Sequence, residues 1–168
     1  FNFVYEANIR YLHHLGEVTY FSPLADTSLP DAGFVYLPGG YPELYLAALS
    51  ANRQMLQSIR RYVESGGKLL AECGGMMYLC DEIRDKNGYV YPMAGVLHQS
   101  ATMENMKLRL GYRTLLYNET RLKGHEFHYS RLVEQQNPLP SCAVAYTAKG
   151  VETDTPVSYT HLTLPTIL

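Results

Sequence analysis

The sequence has no tryptophan, only three cysteines in 168 residues, no lysine- or arginine-rich run, and no apolar stretch near the roughly 18 to 20 residues of a membrane span. Each absence closes a class of function. A formal net charge of -2 without a basic run gives no electrostatic footprint for nucleic acid or anionic lipid. Small polar ligands and proteins are the expected partners. Cys73, Cys80 and Cys142 are odd in number, form no C-x-x-C pair and have no paired histidine close by, so no metal site is expected. Their usage fits a reducing, cytoplasmic compartment better than secretion. The opening "FNFVYEANIRYL" lacks the basic-then-apolar layout of a signal peptide, and it begins on Phe1 instead of Met, as expected for a piece of something longer.

What is present suffices for one domain with a real core: 46% of the residues are apolar, and a chain of about 150 residues buries roughly two-thirds of its unfolded surface. Fifteen tyrosines serve cores and pocket walls equally well and carry no function by themselves. "FNFVY" reads as a strand, followed by a helix capped at Asn8 with Ile9, Leu12 and Leu15 on one face and Gly16 closing it. "EVTYF" and "GFVYLPGG" read as further strands. Helical spacing returns from about Glu43 to Leu49 and from Arg53 to Val63, Gly66-Gly67 stops it, and "KLLAE" is a strand leading into Cys73. This alternation predicts an α/β domain with a mainly parallel sheet flanked by helices, whose ligands gather at the carboxyl ends of the strands. Pro38-Gly39-Gly40 and Cys73-Gly74-Gly75 both fall at such ends. From about Tyr89 onward, "KLRLGYRTLLY" and "HEFHYSRLV" read as added antiparallel strands. Residues 1-150 form the expected domain. The Thr-rich stretch 151-168 is set apart, and a native end and a foreign tail both stay open for it.

Cys73 carries the chemistry that the pattern suggests. A thiol between a strand and a helix start meets free backbone N-H groups and the positive end of the helix dipole, which favour thiolate. Glycines at 74 and 75 permit a sharp turn of the nucleophile-elbow kind and leave room for substrate. The amide of Gly74 then becomes an oxyanion donor, with a second from the loop of Gly39 and Gly40. Spacing alone favours a buried packing cysteine, which remains the reading for Cys80 and Cys142. The coincidence of two glycine-rich strand ends moves Cys73 away from it. Among the histidines, His13 and His14 belong on the first helix, and His98 is uninformative. His125 and His128 are three apart and share a face only in a bulged strand. Glu43 suits a helix start and Glu72 a surface or interdomain ion pair, with no chemistry assigned to either.

The motifs "LPGGYPEL", "AECGGMMYL", "YPMAGVL", "LRLGYR" and "GHEFHYSRL", in this order, resemble the C-terminal glutaminase domain of the cobyrinic acid a,c-diamide synthase family, over Phe1 to about Val133. The resemblance implies the flavodoxin-like fold of class I glutamine amidotransferases. It implies that Cys73 attacks the carboxamide of glutamine with Gly39, Gly40 and Gly74 around the oxyanion, and that the resulting thioester releases ammonia and then glutamate. The ammonia passes to an N-terminal synthetase domain, absent here, that uses ATP and Mg to activate the a and c carboxylates of a corrinoid. No cofactor is implied for the fragment itself. The family's partner histidine lies in a motif of the form S-Y-x-H-x-H-F. "SYTHLTL" matches it at Ser158, Tyr159 and His161 only, which makes His161 the candidate and His128 the fallback, while "GHEFHYS" lines the pocket or faces the corrinoid domain. Other acceptors stay open: those of cobyric acid synthase, a nickel-sirohydrochlorin diamide synthase or a cell-wall amidotransferase. So does an inactive interaction module.

Overall fold

The computed structural model of the chain describes residues 1-133 and 143-153, so Cys142 and His161 lie outside the described residues. Helix α1 (Glu6–Leu15) starts two residues before Asn8, with Glu6 in its first turn and His13 and His14 in its last, each suiting the helix dipole. None of its residues is buried. The expected strand at "FNFVY" is reduced to one antiparallel bridge between Phe3 and Gly39. "EVTYF" forms no strand: Glu17, Thr19 and Tyr20 are exposed, so the segment has no apolar face to press against a neighbour.

Strand β1 (Phe34–Leu37) and strand β2 (Lys68–Ala71) pair in parallel, Val35 opposite Leu69 and Leu37 opposite Ala71. The crossover between them holds a 3-10 turn (Pro42–Leu44), helix α2 (Leu46–Ala51) and helix α3 (Arg53–Glu64). Met55, Leu56 and Ile59 of α3 are buried against the strands, as their helical spacing requires. Asn52 starts α3 by accepting from the Met55 amide at 3.3 Å, and donates to the carbonyls of Pro23 and Asp26 at 2.8 Å each, so one side chain both caps the helix and ties down the preceding loop. Gly66 ends the helix at φ +86°, a left-handed conformation that suits glycine.

Helix α4 (Gly74–Leu79) follows β2 directly. Beyond it, β3 (Glu82–Arg84), β4 (Val90–Pro92), β5 (Ser100–Thr102) and β8 (Arg131–Leu132) form a mixed sheet in the order β4-β3-β5-β8, with β3 and β5 parallel. The expected antiparallel additions are β6 (Arg109–Tyr117) and β7 (Thr120–His128), joined by Asn118 and Glu119 at φ +44° and +65°, with β9 (Val144–Thr147) on the far side of β6. Positive φ at both loop residues gives the turn whose twist matches the strands. The arrangement is the α/β class expected, with parallel pairing at β1-β2 and β3-β5. One cluster of buried residues, including Leu37, Ile59, Leu69, Tyr78 and Ile83, joins the α/β part to the mixed sheet. No helix among the described residues is long and apolar enough to cross a membrane.

The approach of α4 to the end of β1 is very close. A Cβ on Gly75 would collide with the Leu37 carbonyl oxygen, and one on Gly74 would lie 2.5 Å from the Gly40 carbonyl oxygen. Both obstacles are backbone and cannot swing aside. Gly75→Ala is therefore expected to lower stability by about 3 kcal/mol in urea unfolding, whereas Gly33→Ala, where a Cβ meets nothing within 4 Å, should change it by less than about 0.5 kcal/mol.

Candidate functional site

The parallel ladder runs one residue past β2, where the Glu72 amide donates to the Leu37 carbonyl at 3.0 Å. The chain then reverses within two residues: the Gly75 amide donates to the Glu72 carbonyl at 2.8 Å and the Met77 amide to the Cys73 carbonyl at 3.0 Å. This forces Cys73 to φ 47°, ψ -110°, a backbone conformation that costs a non-glycine residue about 1–3 kcal/mol and recurs at reactive positions. The thiol is thrown outward while α4 stays buried: Cys73 is exposed, and Gly74, Gly75, Met77, Tyr78 and Leu79 are not.

The Gly74 and Gly40 backbone amides both act on the Cys73 thiol in the direction that favours thiolate, and a Cβ on Gly74 would lie 2.5 Å from the Gly40 carbonyl oxygen. The two glycine-rich strand ends therefore converge, as the sequence reading expected. Gly39 contributes differently. Its carbonyl accepts from the Phe3 amide at 3.0 Å, and a Cβ there would sit 3.6 Å from the Cys73 Cβ, so it holds the N-terminal segment beside the cysteine and keeps the approach open.

The electrostatics depart from the expected helix-dipole effect. Although solvent reaches Cys73, desolvation by the protein packed around it pushes the thiol up and outweighs the Gly74 and Gly40 amides, while the nearby charges of Glu43 and Glu72 push it up further. Helix α4 has six residues, too short for a large dipole. Glu72 is not a surface ion pair. Half-buried, it accepts a hydrogen bond from the Tyr36 hydroxyl, and burial raises its carboxyl even though that bond and His125 work the other way. Glu43, on the 3-10 turn after Gly40, is raised by burial, with only its own amide pulling it down.

Cys73 opens into a small pocket that Gly40, Tyr41 and Glu43 line on one side and His128, Tyr129 and Ser130 on the other. The unbroken register of β6 against β7, from Arg109 opposite His128 to Tyr117 opposite Thr120, excludes a bulge and places His125 and His128 on opposite faces. His125 lies 3.5 Å from the Tyr5 hydroxyl through Nδ1. His128 is held through Nδ1 by the Ser130 carbonyl and through Nε2 by a Glu126 carboxylate oxygen, each at 2.7 Å. Both ring nitrogens of His128 are therefore engaged. Glu126 also pairs with Arg113, and although burial works against it, His128 and Arg113 hold its carboxyl below the ordinary range. His98 is exposed beside Asp81 at 3.2 Å, away from this pocket, and His13 and His14 are exposed on α1.

Sequence reasoning missed Glu43, whose part in the pocket depends on tertiary placement, and the Arg113–Glu126–His128 cluster. The i, i+2 spacing of Glu126 and His128 within a strand was its only sequence signal.

Two predictions come from this geometry. Iodoacetamide should alkylate Cys73 with a pH midpoint above that of a free cysteine, and leave Cys80, buried with its thiol pushed up to about 12, unlabelled in the folded protein. Peptide mass spectrometry across pH reads both. For Glu126, folding depresses the carboxyl, so its contribution is fully present above the ordinary carboxylate range and is lost as pH falls through the lower folded value. Glu126→Gln should cost about 3 kcal/mol in urea unfolding near neutral pH, and its gap from the native protein should narrow in acid.

Comparison with known proteins gives a consistent pattern. Residues 1–165 match the family model described as the CobB/CobQ-like glutamine amidotransferase domain. The chain is 43% identical over 152 residues to a hydrogenobyrinate a,c-diamide synthase of Pseudomonas aeruginosa, covering 90% of this chain and 33% of that protein. It is 44% identical over 138 residues to a cobyrinate a,c-diamide synthase of Fusobacterium nucleatum, covering 79% of this chain and 31% of the relative. The chain thus spans about a third of the length of these relatives. A crystal structure of a glutamine amidotransferase shares the fold at a TM-score of 0.51 and 18% identity, over 71% of this chain and 67% of that one.

Proposed function

The chain belongs to the CobB/CobQ-like glutamine amidotransferase family, and from that premise we propose that its pocket hydrolyses glutamine through a thioester on Cys73. The ammonia serves amidation of the a and c carboxylates of cobyrinate or hydrogenobyrinate in cobalamin biosynthesis, the acceptors in the names of the two relatives. The observation that carries the reading is exposed Cys73 on a strained turn, where the Gly40 backbone closes on Gly74.

In this mechanism the Cys73 thiolate forms a bond to the carboxamide carbon of glutamine, and the carbonyl electron pair moves onto oxygen. The Gly40 and Gly74 amides donate to that oxyanion. Collapse breaks the C–N bond, and the nitrogen takes up a proton and leaves as ammonia. Water then adds to the thioester, which splits into glutamate and the thiol. The balance is glutamine plus water to glutamate plus ammonia. His161 is the candidate proton carrier, in the part of the chain outside the described residues. His128, the fallback, is within the pocket but would have to give up one of its two hydrogen bonds.

On this reading, ATP and magnesium belong to a synthetase part within the further length of the relatives, which also holds the corrinoid, and the enzyme works in the cytoplasm. Among the described residues, no three His, Cys, Asp or Glu side chains converge as a metal-ion ligand set, and no step above runs through a metal.

The test is glutamate release from glutamine by the chain, alone and joined to the synthetase part of a relative. Cys73→Ser should lower it by at least about a thousand-fold, with no thioester trapped by mass spectrometry. Glutamate release that survives Cys73→Ser would remove the cysteine mechanism.

A further inference from the structure

Glu43 is an acid in an unusual position. It lines the same pocket as Cys73 and follows Gly40 by three residues, so the loop that presents an amide to the sulfur also presents a carboxylate. It is half-buried, and among the described residues no cation pairs with it; the ion pairs there are Arg84–Glu82, His98–Asp81, Arg113–Glu126 and His128–Glu126. A partly desolvated carboxylate without a counter-ion costs folding free energy. Its charge also opposes thiolate formation on Cys73, the reverse of what a thiol nucleophile needs. Neither a packing role nor the start of a three-residue 3-10 turn accounts for both features.

An occupant with a positive charge would account for both. We infer that Glu43 is the specificity-determining residue that receives the α-ammonium group of the amino-acid substrate while the carboxamide lies at Cys73 between the Gly40 and Gly74 amides. The inference rests on the glutaminase reading and extends it to how the pocket tells an α-amino acid from a simple carboxamide. The other polar groups around the pocket do not compete for that part. His128 has both ring nitrogens engaged, Tyr41, Tyr129 and Ser130 are neutral hydroxyls, and Glu72 is bonded to Tyr36. A bound ammonium offsets the Glu43 charge beside the sulfur, so the correct substrate also eases ionisation of its own nucleophile, and a ligand without the amine does not.

The test uses two diazo ketones, the glutamine analogue 6-diazo-5-oxo-L-norleucine and its counterpart without the α-amino group, and follows alkylation of Cys73 by mass spectrometry. The native chain should react with the amino form at least about 10-fold faster, as a charge-assisted hydrogen bond implies. In Glu43→Gln that preference should fall below about 3-fold, Glu43→Asp should restore part of it, and iodoacetamide, which has no amine, should react with Glu43→Gln faster than with the native chain. Equal rates for the two diazo ketones in the native chain would overturn the inference without recourse to any variant. So would a preference that survives in Glu43→Gln. Failure of both reagents to label Cys73 while iodoacetamide does would sink the glutaminase reading and this inference with it, whereas labelling without an amino preference sinks this inference alone.

Discussion

The Leu37 carbonyl oxygen is the contact on which this site depends. It accepts the Glu72 amide, which extends the parallel pairing of β1 and β2 by one step, and it lies where any side chain at position 75 would have to go. The strand pairing fixes how far β2 runs, and the absence of a Cβ at 75 lets α4 begin immediately against the end of β1. Between those two constraints Cys73 has one residue in which to turn, which is why its backbone sits at positive φ. The same closeness brings the Gly40 backbone to Gly74, beside the Cys73 thiol. Reactive geometry here is a by-product of tight packing between a strand end and a helix start.

That packing has an electrostatic consequence which backbone geometry alone does not foretell. Desolvation by the surrounding protein raises the thiol, the two amides recover part of the loss, and two carboxylates add to it. The surroundings of Cys73 therefore disfavour its thiolate, unlike those of a cysteine held beside a permanent cation. Activation has to arrive from outside the first ring of contacts, either from a base or from a ligand that changes the local charge.

Much of this was legible in the sequence, for identifiable reasons. Helix α3 was readable because Met55, Leu56 and Ile59 recur at helical spacing, with Gly66-Gly67 after them. β1, β2 and the paired glycine motifs were readable because buried strands and sharp turns leave local marks in composition. "EVTYF" misled because its strand propensity is local, whereas a strand needs a neighbour and a buried face, and Glu17 and Tyr20 have neither. Glu43 was hidden for a different reason. Its position after Pro42 explains itself as a helix start, and only the fold reveals that the start faces a thiol. Arg113 meets Glu126 diagonally across strands, two residues along from Gly111, which stands directly opposite Glu126, so that contact needs a register no single sequence states.

The β6-β7 hairpin then acquires a part beyond closing the pocket. Its inward face carries a charged row, Arg113 to Glu126 to His128, ending on the Ser130 carbonyl, and each member of that row uses the next. A side chain held at both nitrogens keeps one orientation, so His128 stays fixed in the pocket that it shares with Gly40, Tyr41 and Glu43. The Cys73 thiol opens into that pocket, so it meets a side chain of fixed orientation in His128 and, in Glu43, a carboxylate that no cation among the described residues pairs.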